Sequence, residues 1–450
     1  MKENKVPLVK TKPVKVKEAQ PIEFPEAFED PNQTPAVNRR IPRLDSLPQV
    51  LGELKYIEDL SFPGMIYAKV LRSAYPHARI LRVDTSEAER MPGVLATLTA
   101  KEIPVNSFGP QYQDQPVLAG DKVRHMGDGV AAVAAISEQA AAEALEKINV
   151  EYMPLPAVFD PLEALEENAP KVHEPRSNIY NQWRIKKGDV EKALTEAYLV
   201  VKERYATQMV EHTYMEPHAS IALWDTTHRL TVWSTLGRIF LVRSDLARIL
   251  NMPLNKIRVV STQVGGCFGG KNEPTLEPIL ALLAKKTKRP VKGVYTRKEE
   301  FISSTKRHPF VMDYTSGVTQ SGRIIARKVR LVAEGGAYAS WTETTLGKAA
   351  ILCAGPYKID HLLVEGVAVY TNKTMTGAFR GFGAPQVCFG YESHMDSIAH
   401  RLDMDPLEIR MINAFEEGSI STTGQVLQSM VIKDTLTAAA ERFGWKEWQR

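Results

Sequence analysis

Hydrophobic periodicity divides the first third of the chain into strand-like and helix-like segments. Alternating or β-branched stretches predict three strands, over residues 64–72, 78–84 and 129–136. Ser137 then predicts the N-cap of a helix over residues 138–148, and residues 149–152 return as a strand. This alternation predicts an α/β domain of about 120 residues.

The remainder of the chain also alternates between strand-like and helix-like segments. It predicts six strands, over residues 198–211, 219–224, 229–234, 257–264, 324–334 and 362–370. It predicts four helices, over residues 240–251, 275–286, 385–402 and 433–443, with a short polar tail after the last one. The mixture indicates an α+β or α/β fold with mixed sheets and helices.

Two changes in composition set the predicted domain boundaries. Residues 1–40 have little periodicity, and six lysines in the first 17 residues predict a flexible basic tail. Residues 160–178 are rich in Pro, Glu and Asn and predict a linker. We therefore predict one domain over residues 41–159 and a second over residues 179–450.

Composition narrows the class of protein. The net charge of +4 is accounted for by the basic tail, so the sequence predicts no nucleic-acid surface. No apolar run suits a membrane span, and the lysine-rich start lacks the apolar segment of a secretory signal. Three cysteines without a CxxC pair argue against a disulfide framework or a conventional iron–sulfur or zinc site. We expect a cytoplasmic protein whose electrons, in any redox reaction, leave through another component.

A glycine-rich turn between a predicted strand and a predicted helix is the strongest candidate for chemistry. It reads VGGCFGGK over residues 264–271, here called the first glycine motif. Glycine permits positive φ and close approach, and the following helix adds partial positive charge at its N-terminus. The pattern predicts a site for a phosphate-bearing cofactor, although a tight structural turn explains a single glycine cluster equally well.

The same spacing suggests a P-loop as an alternative. Gly265, Gly270 and Lys271 match the P-loop pattern, but the Ser or Thr that would hold Mg²⁺ is replaced by Asn272. An amide cannot supply the hydroxyl ligand, so nucleotide hydrolysis is the minor interpretation.

A second glycine motif favours a different cofactor. Residues 376–386 read TGAFRGFGAPQ, again between a predicted strand and a predicted helix. A P-loop enzyme has no need of a second glycine turn with an arginine between two phenylalanines. A large, flat, anionic cofactor beside an aromatic substrate has a use for both motifs.

Together the two motifs resemble the molybdopterin-binding subunit of the xanthine dehydrogenase family of molybdenum hydroxylases. The resemblance extends from about Arg43 to the C-terminus. Residues 60–65 (LSFPGM) and 77–80 (HARI) resemble the family's a/b hammerhead domain. The resemblance implies an N-terminal hammerhead-like domain followed by the first molybdopterin-binding domain.

The resemblance also implies a cofactor and its contacts. In bacterial members the cofactor is usually molybdopterin cytosine dinucleotide, and its dithiolene holds the molybdenum, so no protein ligand to the metal is expected. The backbone amides of Phe268 and Arg380 match positions that bind the pterin or the metal's oxygen ligands. The implied cofactor-binding residues are Leu236, Gly266, Cys267, Phe268, Gly269, Gly270, Arg380 and Gly381.

Three residues are implied to contact substrate. Phe382 matches an aromatic residue that packs against a flat substrate ring, whereas core packing is expected for Phe379. Asn272 and Lys348 stand where xanthine-specific members have Glu and Arg, so a purine is not implied. Lys348 instead suits an anionic substrate such as a carboxylate, with a solvated surface lysine as the alternative.

Two further departures concern the cofactor. Leu236 occupies the position of a glutamine that donates to a molybdenum oxygen in the family, and leucine cannot donate. Cys267 replaces a glycine and is expected to crowd the turn.

The implied reaction is hydroxylation of an N-heteroaromatic or aldehyde-like substrate with oxygen from water, electrons passing to iron–sulfur and FAD subunits. The family's catalytic glutamate lies in a Gly-x-Gly-Glu-like word that this sequence lacks. No catalytic residue is therefore assigned here, and a second molybdopterin subunit is expected to supply the base. Residues 423–427 (TGQVL) resemble nicotinate dehydrogenase, whose molybdopterin part is split in this way. The alternatives are a fragment or a non-catalytic assembly paralogue.

Four histidine and glutamate positions are further candidates for chemistry. His212, Glu216 and His218 are spaced closely enough for a metal site, but Pro217 interrupts the strand and no fourth ligand is evident. A metal is thus the minor interpretation. His308 is expected to be a turn or surface residue rather than a base.

Overall fold

A computed structural model of the chain describes residues 43–448. The predicted flexible tail, residues 1–40, lies outside the described residues. An N-terminal unit ends at Leu54 and contains helix α1 (Ser46–Val50). All other described elements belong to the unit that begins at Lys55.

The elements are defined here in chain order. The strands are β1 (Ile66–Arg72), β2 (Ala78–Asp84), β3 (Val94–Thr99), β4 (Lys122–Val123), β5 (Gly129–Ala135), β6 (Asn149–Pro154), β7 (Ile179–Lys187), β8 (Leu199–Thr207), β9 (Ala219–Trp224), β10 (Leu230–Ser234), β11 (Ile257–Ser261), β12 (Val291–Val294), β13 (Phe310–Val318), β14 (Ile324–Gly336) and β15 (His361–Tyr370). The helices after α1 are α2 (Ser86–Glu89), α3 (Glu138–Leu145), α4 (Val190–Thr195), α5 (Ile239–Ile249), α6 (Glu277–Thr287), α7 (Arg297–Ser303), α8 (Thr342–Leu352), α9 (Ala384–Arg401), α10 (Pro406–Asn413), α11 (Ile432–Phe443) and α12 (Trp445–Trp448).

A seven-stranded sheet contains strands from both sides of the predicted domain boundary. Its order is β11-β10-β9-β12-β1-β5-β3, and β1 pairs in parallel with β12. Ile66 and Leu98, from the N-terminal side, share one buried core with Leu246 of α5 and Leu280 of α6. The strands on both sides of residue 160 therefore contribute to one sheet, and the division at residues 160–178 stays a prediction.

A five-stranded sheet forms the second layer that positions the site. Its order is β7-β15-β14-β13-β8, with β14 and β15 parallel. Helices α8 and α9 pack against it, through residues such as Leu346 and Ile398. Within the predicted linker, Ala164 and Val172 are buried in a cluster with Tyr370, so this segment lies against β15. A third sheet has the order β4-β2-β6.

Most strongly periodic segments form the predicted elements. The Ser137 hydroxyl accepts a hydrogen bond from the amide of Ala140 at 3.1 Å, so the predicted cap of α3 is confirmed. The strand predicted over residues 257–264 ends earlier, at Ser261, because the backbone turns toward the glycines. The tail predicted after residue 443 instead contains α12.

Some elements were not predicted because their local signal is weak. Helix α8 contains three threonines and a glycine, which have low helix propensity. Burial of Leu346, Gly347, Ala349 and Ala350 stabilises it instead. Strands β3, β7, β12 and β13 and helix α10 were missed as well. Within residues 43–448, no helix has both the length and the apolar character that a bilayer crossing requires.

Candidate cofactor-binding site

The two glycine motifs touch each other through their backbones. The first glycine motif follows β11 and precedes α6, and the second (residues 376–386) follows β15 and precedes α9. A β-carbon at Gly269 would lie 2.6 Å from the carbonyl oxygen of Ala378, which leaves room only for glycine. The Arg380 amide donates to the Phe268 carbonyl at 2.8 Å. The fold thus brings together two motifs that are about one hundred residues apart in sequence.

Both motifs have a phenylalanine in the left-handed region of backbone conformation. Phe268 has φ of +49° and Phe382 has φ of +54°. For a residue with a β-carbon this costs roughly 1–2 kcal/mol, and such residues cluster at functional sites. Cys267 is not among the residues with positive φ, so its side chain does not force the turn into a strained conformation. The glycines that share this region are Gly266 (+104°), Gly269 (+106°), Gly381 (+99°) and Gly383 (+91°).

The first glycine motif presents a row of unused backbone donors. The Gly265 amide donates to the Glu216 carboxylate at 2.7 Å, and the Gly270 amide donates to the Cys267 carbonyl at 2.8 Å. Between them, the amides of residues 266–269 make no hydrogen bond within residues 43–448. The Phe268 side chain is 45% exposed, so this row lies near solvent. Consecutive free N–H groups are a donor set that fits an anionic cofactor rich in acceptors.

The backbone amide of the second motif has a hydrogen-bond partner within the chain. The Arg380 N–H was expected to bind the cofactor, but Phe268 already accepts its hydrogen bond. The Arg380 side chain is exposed and makes no ion pair with any residue in the described part of the chain. A contact of Arg380 with an anion would therefore be made by its guanidinium, and the role of the Phe268 amide stays a prediction.

Lys271 does not behave as a P-loop lysine. Its ammonium is buried and donates to the Glu216 carbonyl at 2.7 Å and to the Glu216 carboxylate at 3.3 Å. It also lies 4.6 Å from the centre of the Tyr214 ring. Burial lowers the pKa of Lys271, and the adjacent Glu216 opposes this shift. Since Lys271 points into the protein and α6 begins only at Glu277, the geometry disfavours the P-loop alternative.

The minor metal interpretation is also disfavoured, because its three residues have separate partners. The His212 ring Nε2 lies 2.8 Å from the Ala378 carbonyl oxygen, and the His218 ring Nδ1 lies 3.0 Å from the Glu300 carboxylate. Glu216 is bonded to Gly265 and to Lys271. No group of three or more His, Cys, Asp or Glu side chains among residues 43–448 is arranged to hold a metal ion.

A buried polar network lies next to the first glycine motif. Tyr214 donates to Glu300 at 2.7 Å, and Lys306 pairs with Glu211 at 2.6 Å. Burial by itself raises the pKa of Glu300, but the His218 charge and hydrogen bonds outweigh it and bring the value to about 2. Glu300 is thus an ionised acceptor that fixes the positions of Tyr214 and His218.

Phe379 has the packing role that the sequence suggested. Its ring stacks on His212 with centroids 4.1 Å apart and planes at 15°. The Arg307 guanidinium covers it, with its carbon 3.8 Å from the ring centre. Burial lowers the pKa of His212 to about 4, which favours a neutral imidazole in this stack.

Leu236, Cys267 and Asn272 meet near the end of β10. Leu236 is 3% exposed, and its side chain belongs to the core of the seven-stranded sheet. The next residue, Gly237, donates through its amide to the Lys271 carbonyl at 2.8 Å. A β-carbon at Gly237 would lie 2.8 Å from both the Cys267 sulfur and the Asn272 side-chain oxygen. A glycine at position 237 therefore makes room for Cys267 in the first motif.

Two of the three predicted substrate residues, Phe382 and Lys348, lie at helix α8. A β-carbon at Gly383 would lie 2.4 Å from the Thr345 carbonyl oxygen, so the second motif packs directly on α8. Phe382 contacts Trp341, the residue before α8, with ring centroids 6.2 Å apart. Lys348 is exposed on the same helix and forms no ion pair within residues 43–448.

Sequence reasoning misplaced His308 and did not find Glu273 or Trp341, three buried or partly buried residues near this helix. His308 is buried, not at the surface as predicted, and its Nε2 lies 2.9 Å from the Thr342 hydroxyl. Burial lowers the pKa of His308 to about 3. Glu273 is buried beside Ser340, which donates to it, and burial raises the pKa of Glu273 to about 7. Trp341 carried no motif of its own, and its place beside Phe382 follows only from the fold.

Family models match both parts of the chain. The molybdopterin cofactor-binding domain model matches residues 172–414. The model described as aldehyde oxidase and xanthine dehydrogenase, a/b hammerhead domain, matches residues 51–156. The expected order of the two folds, hammerhead first and molybdopterin-binding second, is confirmed.

Individual proteins agree with the family models. The chain is 45% identical to a probable xanthine dehydrogenase subunit of Bacillus subtilis, over 82% of this chain and 50% of that protein. It is 40% identical to the nicotinate dehydrogenase large molybdopterin subunit of Eubacterium barkeri, over 89% of this chain and 94% of that subunit. The chain thus spans about half the length of the first relative and nearly all of the second.

Solved structures give the same result at the level of fold. The aldehyde oxidoreductase of Desulfovibrio gigas superimposes with a TM-score of 0.86 at 29% identity, over 90% of this chain and 46% of that one. Quinoline 2-oxidoreductase from Pseudomonas putida 86 also gives 0.86, at 28% identity, over 91% and 54%. The domain match, the two relatives and the two joined glycine motifs lead to one conclusion: the chain belongs to the xanthine dehydrogenase family of molybdenum hydroxylases, as a molybdopterin-binding oxidoreductase subunit.

Proposed function

We propose that this chain holds molybdopterin cytosine dinucleotide at the two glycine motifs. The observation that carries the proposal is the row of free amides over residues 266–269, bounded by the bonded amides of Gly265 and Gly270. Acceptors of the pterin and pyrophosphate would bind this row, and the exposed Arg380 side chain beside Gly381 would add positive charge. Leu236, in the predicted set, would contribute packing only, since its side chain is in the core.

We infer that the substrate lies on the Phe382 side of this site. When bound, the molybdenum cofactor supplies the two-electron redox centre for hydroxylation with oxygen from water. The protein's task is to orient an N-heteroaromatic or aldehyde-like molecule and to limit its contact with solvent. Phe382 would pack against the flat ring and Asn272 would contact a polar substituent, whereas Lys348, exposed on α8, fits the alternative of a solvated surface lysine.

The proposed enzyme is a complex. A second molybdopterin subunit would supply the general-base glutamate, and iron–sulfur and FAD subunits would accept the electrons. This is supported by the match over 94% of a protein named as the large molybdopterin subunit of nicotinate dehydrogenase. It is supported as well by the solvent-facing position of Phe268, which leaves the amide row open to another protein surface.

The test is analysis of the native complex purified through this chain from cells grown with molybdate. We expect molybdenum, release of CMP on acid hydrolysis, and co-purified iron–sulfur, flavin and second molybdopterin chains. Turnover of pyridine and quinoline derivatives would then be screened with an artificial electron acceptor. A complex without molybdenum contradicts the proposal.

A second candidate function is that of a non-catalytic assembly partner. The observation that favours it is the buried, apolar Leu236 at the position where the family has a donating glutamine. In that case the complex contains the partner chains and turns over no substrate, and Leu236→Gln does not create activity. Turnover by the wild-type complex excludes this candidate.

A further inference from the structure

Arg238 presents an unpaired guanidinium next to the first glycine motif. It precedes α5, is exposed, and its side chain makes no hydrogen bond or ion pair with the residues that the structure describes, 43–448. It stacks on Trp341, whose ring centre lies 4.9 Å from the guanidinium carbon. The stack uses the face of the guanidinium and leaves the N–H groups at its edge available.

Trp341 connects this arginine to the proposed substrate position. The Trp341 ring meets Phe382 at 6.2 Å between centroids and 61° between planes, an edge-on contact. Its indole Nε1 is buried and has no acceptor within residues 43–448. A buried donor without a partner is unfavourable, so a ligand that offers an acceptor to this N–H would be stabilised here.

The chemistry of these three side chains selects one class of ligand. A planar guanidinium held by stacking matches the two oxygens of a carboxylate, which can accept from it in bidentate fashion. A carboxylate has further lone pairs for a neighbouring indole N–H. Trp341 touches both Arg238 and Phe382, so the guanidinium and the aromatic ring proposed to contact substrate flank the same side chain.

We propose that Arg238, oriented by Trp341, is the specificity residue that binds the carboxylate of an aromatic or N-heteroaromatic acid packed against Phe382. The proposal rests on the function proposed above and narrows its substrate class. It also differs from the sequence-based expectation, which gave this role to Lys348. Lys348 carries a flexible point charge and has no stacking partner among the described residues, so it is less suited to planar recognition.

The test compares two ligands in the native complex. Pyridine-3-carboxylate and its neutral amide, pyridine-3-carboxamide, have nearly the same shape and differ in charge. The variants are Arg238→Gln, Arg238→Lys and the matched control Lys348→Gln. Each is assayed for kcat and KM, and separately for equilibrium binding of both ligands by calorimetry, a readout that does not need turnover.

We expect Arg238→Gln to weaken the acid about 10- to 100-fold, in KM and in the dissociation constant, and the amide by less than about threefold. Arg238→Lys should weaken the acid less than Arg238→Gln does but should not reach wild-type affinity, since lysine keeps the charge and lacks the planar pair of N–H donors. Lys348→Gln should change both ligands by less than about threefold. Equal loss of acid and amide in Arg238→Gln overturns the proposal, as does a selective loss of the acid in Lys348→Gln.

The two proposals fail in different ways. If the wild-type complex binds the acid selectively but turns over neither ligand, the proposed hydroxylation fails and the role of Arg238 stands. If the complex is active on neutral heterocycles and binds pyridine-3-carboxylate no better than the amide, the role of Arg238 fails and the hydroxylase function stands.

Discussion

Replacing Gly269 by alanine tests whether the site depends on direct backbone contact between the two glycine motifs. The new β-carbon would lie 2.6 Å from the Ala378 carbonyl oxygen and 3.2 Å from the Phe379 amide nitrogen. Neither atom belongs to a flexible side chain, so the two motifs must separate. Separation would break the hydrogen bond from the Arg380 amide to the Phe268 carbonyl, now 2.8 Å.

The matched control is Gly424→Ala. Gly424 also has a positive φ, +85° against +106° for Gly269, but a β-carbon there meets no atom within 4 Å. The control therefore loses only the stability that a positive φ costs a residue with a β-carbon, roughly 1–2 kcal/mol. Gly269→Ala adds about 1 kcal/mol for the lost hydrogen bond and a further cost for moving the motif. We expect a loss of about 3 kcal/mol or more in the free energy of unfolding.

The measurement is urea unfolding of the two variants beside the wild type, together with the molybdenum content of each purified complex. Gly269→Ala should show the larger shift of the urea midpoint and a lower molybdenum content. Gly424→Ala should retain wild-type molybdenum. The reasoning is refuted if the two variants agree within about 0.5 kcal/mol, which is the usual limit of additivity, and bind equal molybdenum.

Three further predictions address the surroundings of the site. Lys271→Met leaves the Glu216 carboxylate without its cation and should cost about 3–5 kcal/mol in urea unfolding, and a double variant that adds Glu216→Gln should lose less. His308 has a folded pKa of about 3, below its usual 6.5, so the unfolded state binds more protons between these values and stability falls as the pH falls through that window. His308→Gln should therefore flatten the pH dependence of the free energy of unfolding in that window by up to about 1.4 kcal/mol per pH unit, and an unchanged slope in urea unfolding contradicts the assignment. Phe382→Ala should lower kcat/KM for an aromatic substrate about tenfold with little change in stability. Phe379→Ala should instead lower the free energy of unfolding by about 3 kcal/mol, because Phe379 packs between His212 and Arg307. The reverse pattern would exchange their roles.

The sequence predicted elements well where turn residues bound a segment of clear hydrophobic periodicity. Strands β2 and β9 have the predicted limits, because a proline lies just before each strand and polar turn residues follow it. Helix α8 was missed, although it supports the substrate side, because its stability comes from tertiary burial rather than from helix propensity. The order of the seven-stranded sheet was equally out of reach, since pairing of β1 with β12 depends on contacts more than two hundred residues apart.

The candidate site was only partly predictable for the same reason. The glycine motifs are visible in the sequence, but the partner of each backbone group is not. The Arg380 amide was expected to bind a cofactor and is instead used to join the motifs. Lys271 matched a P-loop lysine and is instead paired with Glu216, whose carboxylate lies next to it only in the folded chain. Arg238 and Trp341 have no local signal, and only the fold reveals the stack between them.

The first glycine motif contains both amides that are free to bind a ligand and groups that hold the loop in place, which explains the buried polar side chains that contact it. A row of amides that is free to bind a ligand cannot be held in place by hydrogen bonds of its own. The groups on either side must hold it: Glu216 binds Gly265, the Cys267 carbonyl accepts from Gly270, and the Phe268 carbonyl accepts from the second motif. Glu216 is fixed in turn by the buried Lys271. Donors oriented in this way before the ligand arrives need little reorganisation on binding, which is the physical advantage of a preformed site.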